Sequence, residues 1–428
     1  MVDADWKGPY LNIDPARQPV LNHRSGWAFA LQALAPLYDP RGIFFDSFLE
    51  RTFSWYEKRE RRQGVIPYRE PWIGVMHNPP GVPRWHDYEN SPQAILARDS
   101  FRQSLPYCRG LFTLSEYLCR WLVQRVNVPV SALIHPTETP ALKFSRDAFR
   151  GESRPAVIQV GWWLRRLHSI FRLRAKGYRK LMLAVGHRHF EHMLARERSR
   201  SSVADHELTS VAVLPFVSND EYDRWLSHSV VFCDLIDSSA NNVVIECIVR
   251  NTPILINRLP AVEEYLGRDY PLYFSTLDEA SAKLSRRSTV LAAHEYLRAL
   301  PKERFSQQAF RDAFMRSEVY RRLCGEAPRT RQSGAMPRAT VGNRPSQPTD
   351  MSLVLSRAAC GAVYVERAEF DAQDTRVARS GFERLWCGLP LNAVRRLTLR
   401  DFIRHVSPEK TPEAKLAYDA LNRALERT

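Results

Sequence analysis

Short apolar runs alternate with longer stretches of helical spacing up to about residue 325. The runs at 42–45, 72–76, 110–115, 130–134, 156–160, 207–214, 230–235, 254–256 and 270–274 are mostly apolar and end on polar or glycine-containing turns. Between them, 27–35, 48–62, 116–124, 178–184, 219–228, 243–250, 277–285 and 291–322 carry helical periodicity, the last interrupted at Pro301. Ser115 and Asn219 stand where N-caps are expected, and Asn251-Thr252-Pro253 stops the 243–250 helix. Strands that are apolar on both faces and separated by helices predict parallel sheets covered on both sides, an α/β fold.

The pattern breaks at 327–350, APRTRQSGAMPRATVGNRPSQPTD, where large apolar residues nearly vanish. Such a segment reads as a flexible linker. Beyond it, 397–406 and 412–427 have helical spacing, the second with Thr411 as N-cap and Pro412 at the first helical position. A chain of 428 residues is long enough for two domains with an appendage. The expected division is a domain over 1–150, a second over 151–326, the linker 327–350, and a small, mainly helical module over 351–428.

Composition narrows the function classes. Hydrophobic content of 44% is that of a globular protein. The seven cysteines form no C-x-x-C pair, so neither a disulfide framework nor a zinc site is indicated. The start, MVDADWKGPY, lacks a secretion signal, and no run of about 18 apolar residues would span a membrane. A reducing cytoplasm is the expected location. The net charge of +15 is concentrated in 165–200, which carries Arg165, Arg166, Arg172, Arg174, Lys176, Arg179, Lys180, Arg188, Arg196, Arg198 and Arg200 against Glu191 and Glu197. A positive field of this kind draws anions such as nucleotides, acidic lipid headgroups or anionic glycans, and it is equally a solvated face. The later cations, Arg188 to Arg200, suggest peripheral contact with an anionic membrane. The aromatics nearby do not form a stacking platform, and nucleic acid is not an expected partner.

The segment 230–267, VVFCDLIDSSANNVVIECIVRNTPILINRLPAVEEYLG, concentrates the chemistry. An apolar strand runs into a loop of Ser238, Ser239, Ala240, Asn241 and Asn242, and a helix follows with Glu246 one turn in. Free N–H groups at a helix start suit a phosphate, and an acid one turn on suits a ribose hydroxyl. The segment resembles the donor-site half of GT-B glycosyltransferases, family four and its relatives. Glu246 matches the ribose-holding glutamate, and Asn251-Thr252-Pro253 matches the turn that follows it. The second family glutamate, eight residues earlier, is Ser238 here, with Asp237 one further back.

The resemblance spans roughly residues 20–325 and implies two Rossmann-like domains facing a cleft. The first would hold the acceptor and the second the donor. Gly161 followed by Arg165 and Arg166 matches the glycine and arginine after the first strand of the second half. Lys176 or Lys180 matches the lysine further on, and these cations would hold the donor diphosphate as it leaves. His77 matches a histidine that approaches the transferred sugar. The implied activity is metal-independent, retaining sugar transfer from a nucleotide-sugar, a co-substrate rather than a cofactor, to a glycan or lipid-linked acceptor, as in polysaccharide synthesis. No D-x-D suits a metal-dependent transferase, and neither a P-loop nor a G-x-S-x-G elbow occurs. A non-catalytic sugar-nucleotide or glycan binder and a basic nucleic-acid-associated protein remain as alternatives.

Overall fold

The computed structural model describes residues 10–13, 26–183, 188–200, 207, 209–214, 217–326, 351–357 and 363–370. Except at 11–12 and 179–183, the strands up to residue 325 stand where the apolar runs predict them: β1 (Leu11–Asn12), β2 (Ile43–Asp46), β3 (Trp72–Met76), β4 (Cys108–Thr113) and β5 (Val130–Ala132). They continue as β6 (Ala156–Val160), β7 (Arg179–Leu183), β8 (Val211–Leu214), β9 (Val230–Cys233), β10 (Ile254–Asn257) and β11 (Tyr273–Phe274). Two more, β12 (Met351–Arg357) and β13 (Val363–Phe370), lie in the tail.

Two compact units result. The larger takes in 26–30 and 44–322 and contains two parallel sheets. In the first sheet β2, β3, β4 and β5 pair in that order, all parallel. In the second the order is β11-β10-β9-β6-β7-β8, again parallel throughout. Sequence order reverses direction on either side of β6. Such switch points open a crevice at the carboxyl ends of the strands. Helices cover the faces, as apolar parallel strands require.

Each sheet has its own core. Trp72, Phe53 and Phe101 fill the first, and Val157, Ile158, Phe232 and Ile256 the second, all essentially without solvent exposure. The last two helices of the larger unit return to the first sheet. From Gln307–Arg316, Phe314 stacks on Phe112 at 4.6 Å and meets Phe45 edge-on at 5.8 Å. From Glu318–Glu326, Val319 occupies the space a side chain at Gly110 would need, its Cγ1 only 2.6 Å from that Cβ position.

The smaller unit gathers the described residues 10–13, 31–43, 323–326, 351–357 and 363–370. In it the Asp39 amide donates to the Leu11 carbonyl at 3.0 Å and the Ile43 amide to the Tyr10 carbonyl at 2.9 Å. Its β12 and β13 pair antiparallel, with a register shift between Val354 and Leu355.

Several expectations change. Residues 178–184, expected as helix, contain the strand β7. Five residues are too few for periodicity to separate strand from helix, and only the second half of β7 enters the core. The cap of Asn219–His228 is Ser218, which forms a capping box with Glu221; Asn219 is already helical. The expected 48–62 helix divides into a π-turn, Arg51–Trp55, and a short helix, Glu57–Arg62. What is described of the tail expected to be mainly helical is the antiparallel pair β12–β13. The linker 327–350 and the helices expected at 397–406 and 412–427 lie outside the described residues.

Candidate functional site

The helix Asn242–Arg250 starts where β9 delivers the chain to the crevice. Asn241 caps it, its Oδ1 accepting the amides of Val243 at 3.1 Å and Val244 at 3.4 Å. That side chain is therefore turned onto its own helix, while Asn242 is half-buried at the first helical position. At the other end Asn251 takes a left-handed conformation (φ 60°), which an asparagine tolerates, and releases the chain into β10.

Glu246 has no solvent exposure. Its Oε2 accepts the hydroxyl of Tyr222, which is half-buried and lies over it. Burial first, and then the Glu246 charge, hold the Tyr222 phenol well above its usual pKa, so it stays a donor. Beneath them Arg250, also wholly buried, gives Nε and Nη2 to Asp223 Oδ1 at 3.1 and 2.7 Å and Nη1 to the Glu246 carbonyl at 3.3 Å. The group nearest the surface here is thus Tyr222. In the sequence Tyr222 stands near a helix start, as a core or surface tyrosine or a lining of the base pocket; its contact with Glu246 belongs to the fold.

The turn after β6 is strained. Gly161 has φ 73° and Leu164, with a side chain, φ 51°. The turn lies along the loop after β9: the Ile236 amide donates to Leu164 O and the Arg166 amide to Asp234 O, both at 2.8 Å. Arg165 folds back over Gly161, its guanidinium carbon 3.2 Å from where a Cβ would stand, and its Nη1 reaches Trp163 O at 2.8 Å. Arg166 Nη1 donates to Asp234 Oδ1 at 2.8 Å and to Leu235 O at 2.6 Å, with about half of its side chain exposed. Asp234 in turn accepts the Ser169 hydroxyl at 2.6 Å.

Lys176 and Lys180 do not join these arginines. Both fall at the amino-terminal end of the second sheet, since Lys180 is the second residue of β7 and pairs with Val157 near the start of β6. Gly161 follows the opposite end of β6. Lys180 spends its ammonium on the carbonyls of Phe171 at 2.6 Å and Leu173 at 3.3 Å, and Lys176 is exposed. The resemblance fixes the order of glycine, arginine and lysine along the chain, not the end of the sheet at which each falls.

The first sheet meets this site through the loop after β3. The Gly81 amide donates to Asp237 Oδ2 at 2.6 Å, and the Tyr117 hydroxyl reaches the same oxygen at 3.2 Å. Asp237 Oδ1 accepts the Ser238 amide at 2.8 Å, so both carboxylate oxygens are engaged. Ser238 is buried, and the hydroxyls of Ser115 and Ser239 stand 3.0 Å apart. Glu264 completes the seam: its two oxygens accept the Glu116 and Tyr117 amides, each at 2.7 Å, at the open N-terminus of the helix Glu116–Val123. Glu264 and these amides lie about 150 residues apart in sequence, so no local pattern pairs them.

His77 begins that loop. Its ring stacks on Phe48 at 3.9 Å and meets Trp27 edge-on at 4.5 Å, and Nε2 donates to Ser47 O at 2.9 Å. Burial pushes its pKa down to about 3, so the imidazole is neutral at pH 7. Glu50, fully buried and unremarked in the sequence, accepts the amides of His77 at 2.8 Å and Asn78 at 2.6 Å through one oxygen. Its other oxygen has no partner among the described residues, and burial raises its pKa to about 7.

The basic stretch is partly committed within the fold. Arg196 Nη1 donates to the carbonyls of Trp85 at 3.1 Å and His86 at 3.5 Å, and the Arg200 guanidinium lies 5.2 Å over the Trp85 ring. Arg188 and Arg198 lie on the helix Arg188–Arg198. Among the described residues, no helix is long and apolar enough to cross a membrane, and no group of three His, Cys, Asp or Glu is placed to hold a metal ion.

No family model matches the chain, and no curated protein matches it. Solved structures do. Sucrose-phosphate synthase from Thermosynechococcus elongatus is 14% identical with a TM-score of 0.49, over 67% of this chain and 74% of that one. HepE of Anabaena, solved with UDP and glucose, is 11% identical with a TM-score of 0.49, over 67% and 79%. A UDP-forming α,α-trehalose-phosphate synthase from Burkholderia vietnamiensis is 16% identical with a TM-score of 0.43, over 67% and 76%.

Proposed function

We propose that this chain is a GT-B glycosyltransferase that moves a sugar from a nucleotide-sugar to an acceptor hydroxyl on a glycan or a lipid-linked sugar. One observation carries the reading. The loops at the carboxyl ends of β3, β6 and β9 meet: the Gly81 amide bonds Asp237, and the turn after Gly161 lies along the same loop through the Ile236 amide on Leu164 O, the end of the strands where α/β sheets bind ligands. A helix N-terminus and two arginines border it, the arrangement that stabilises a departing diphosphate without a metal.

Arg166 is the cation for that role, being half-exposed and steered by Asp234. Arg165 shapes the Gly161 turn. Tyr222 meets the donor ribose, and Glu246 acts behind it as a positioning residue, fixing the phenol as donor. His77 contributes as a neutral, packed ring and through its backbone, with Glu50 fixing the peptide N–H groups on either side of it. Retention of configuration follows only from the family resemblance. Arg188, Arg198 and Arg200 would add a weak attraction to an anionic membrane, about 1 kcal/mol for each cation that reaches the surface.

A second reading, a sugar-nucleotide binder without turnover, is favoured by one fact: Asp237, which stands nearest the missing family glutamate, has both oxygens taken by Gly81, Tyr117 and Ser238. Thermal shift with UDP, GDP and ADP and their glucose conjugates tests both, because a ligand of the folded state alone raises the Tm. A shift together with release of free nucleotide supports transfer; a shift without release supports the binder. No shift with any nucleotide overturns both.

A further inference from the structure

The loop 81–88 from the first sheet and the turn 161–163 after β6 enclose a group that the reaction above does not use. His86 lies among three indoles at 3% exposure. Its ring centroid is 5.6 Å from that of Trp85, 4.8 Å from Trp163 in an edge contact, and 6.5 Å from Trp162 nearly parallel. All three tryptophans are half-buried. Among the described residues, neither ring nitrogen of His86 has a hydrogen-bond partner. Buried polar groups are nearly always paired, and two orphaned atoms on one ring mark a place where something else bonds.

The surroundings define what that is. Burial, with the Arg196 charge nearby, lowers the His86 pKa to about 4, so the ring is neutral and offers one N–H and one lone pair. Arg196 turns its Nη1 onto the carbonyls of Trp85 and His86, and the Arg200 guanidinium lies 5.2 Å over the Trp85 ring, so the cluster is aromatic with two cations on its Trp85 side. A pyranose ring matches both features. Its C–H face packs on an indole plane, and each hydroxyl can donate and accept at once. Aromatic walls with a few polar groups are the usual make-up of a small-molecule site.

We infer that Trp85, His86, Trp162 and Trp163 form a subsite for a neutral sugar ring of the acceptor, beside the crevice at the Gly161 turn. The inference rests on the sugar-transfer reading. The indoles cover the imidazole nitrogens, so a hydroxyl reaches His86 as the Trp163 indole turns aside. The same movement changes the indole's surroundings and hence its fluorescence.

The test titrates methyl α-glucopyranoside, methyl α-mannopyranoside and methyl β-galactopyranoside into the full chain saturated with UDP, reading tryptophan fluorescence. At least one glycoside should give a saturable change. Trp163→Ala and His86→Leu should weaken that binding at least about tenfold, while His86→Gln, which keeps a donor and an acceptor, should stay within a few-fold. Binding of UDP, followed by thermal shift, should not change in any variant, and circular dichroism establishes that each is folded. If His86→Leu does not fold, Trp162→Ala replaces it with the same expectation. The subsite is overturned if no glycoside binds, if the variants bind as wild type, or if UDP affinity falls in parallel, which would assign the rim to the donor. A glycoside response in protein that ignores UDP would instead keep the subsite and remove the sugar-transfer reading.

Discussion

The Gly81 amide donates to the Asp237 carboxylate at 2.6 Å, joining loops that are 156 residues apart in sequence and belong to different sheets. The contact needs a glycine, because a Cβ at position 81 would stand 2.4 Å from Asp237 Oδ2.

Gly81→Ala is therefore expected to push the loop off Asp237 and to cost about 1–3 kcal/mol, the usual range for overpacking. Gly151→Ala is the control: it lies in a helix, and nothing stands within 4 Å of its Cβ position. It should be neutral or slightly stabilising. Urea unfolding of both variants decides, and equal midpoints would mean that the loop yields freely.

Glu50 gives stability an unusual pH dependence. Its carboxyl, ordinarily at 4.5, is raised to about 7 by burial. Between those values the unfolded chain releases a proton that the folded chain keeps, so stability falls as pH rises from about 4.5 to 7 and levels off above. The whole effect is about 3 kcal/mol. His77 works the other way: its pKa of about 3 gives stability present above pH 6.5 and lost as pH falls toward 3. Glu50→Gln should flatten the loss between 4.5 and 7 and leave the acid limb in place. Identical pH profiles for the variant and wild type would refute the assignment.

The Arg250–Asp223 pair is buried, with 0% and 7% of the side chains exposed. Removing one partner strands the other charge, so Asp223→Ala should cost about 3–5 kcal/mol in chemical denaturation. A cost below about 1 kcal/mol would mean that water reaches Arg250 in the variant.

Tyr222→Phe should leave the fold near wild-type stability and lower kcat/KM for the donor by roughly tenfold or more, the worth of a hydrogen bond to a charged or polar group. Glu246→Gln, which still accepts the phenol, should lose less. The reverse ranking would make Glu246 itself the ribose contact.

The sequence by itself determined the alternation of apolar runs and helices, and with it two parallel sheets, because a strand covered on both faces must be apolar throughout. It also located the 230–267 segment, where cap, helix and stop residues are neighbours in the chain: Asn241 caps and Asn251 terminates. β7 escaped because five residues do not show a period, and the family order that suggested Lys176 and Lys180 did not tell at which end of the sheet they fall. Only the tertiary structure decided which side chains face each other. Tyr222 over Glu246, Glu264 on the amides of Glu116 and Tyr117, and Gly81 on Asp237 are pairings made by the packing of elements from 24 to 156 residues apart. No local pattern encodes them, since hydrophobic periodicity reports which face of an element is buried but not which partner buries it. For the same reason His86 reads in the sequence as one polar residue in a loop, and becomes a candidate site only once three indoles close around it.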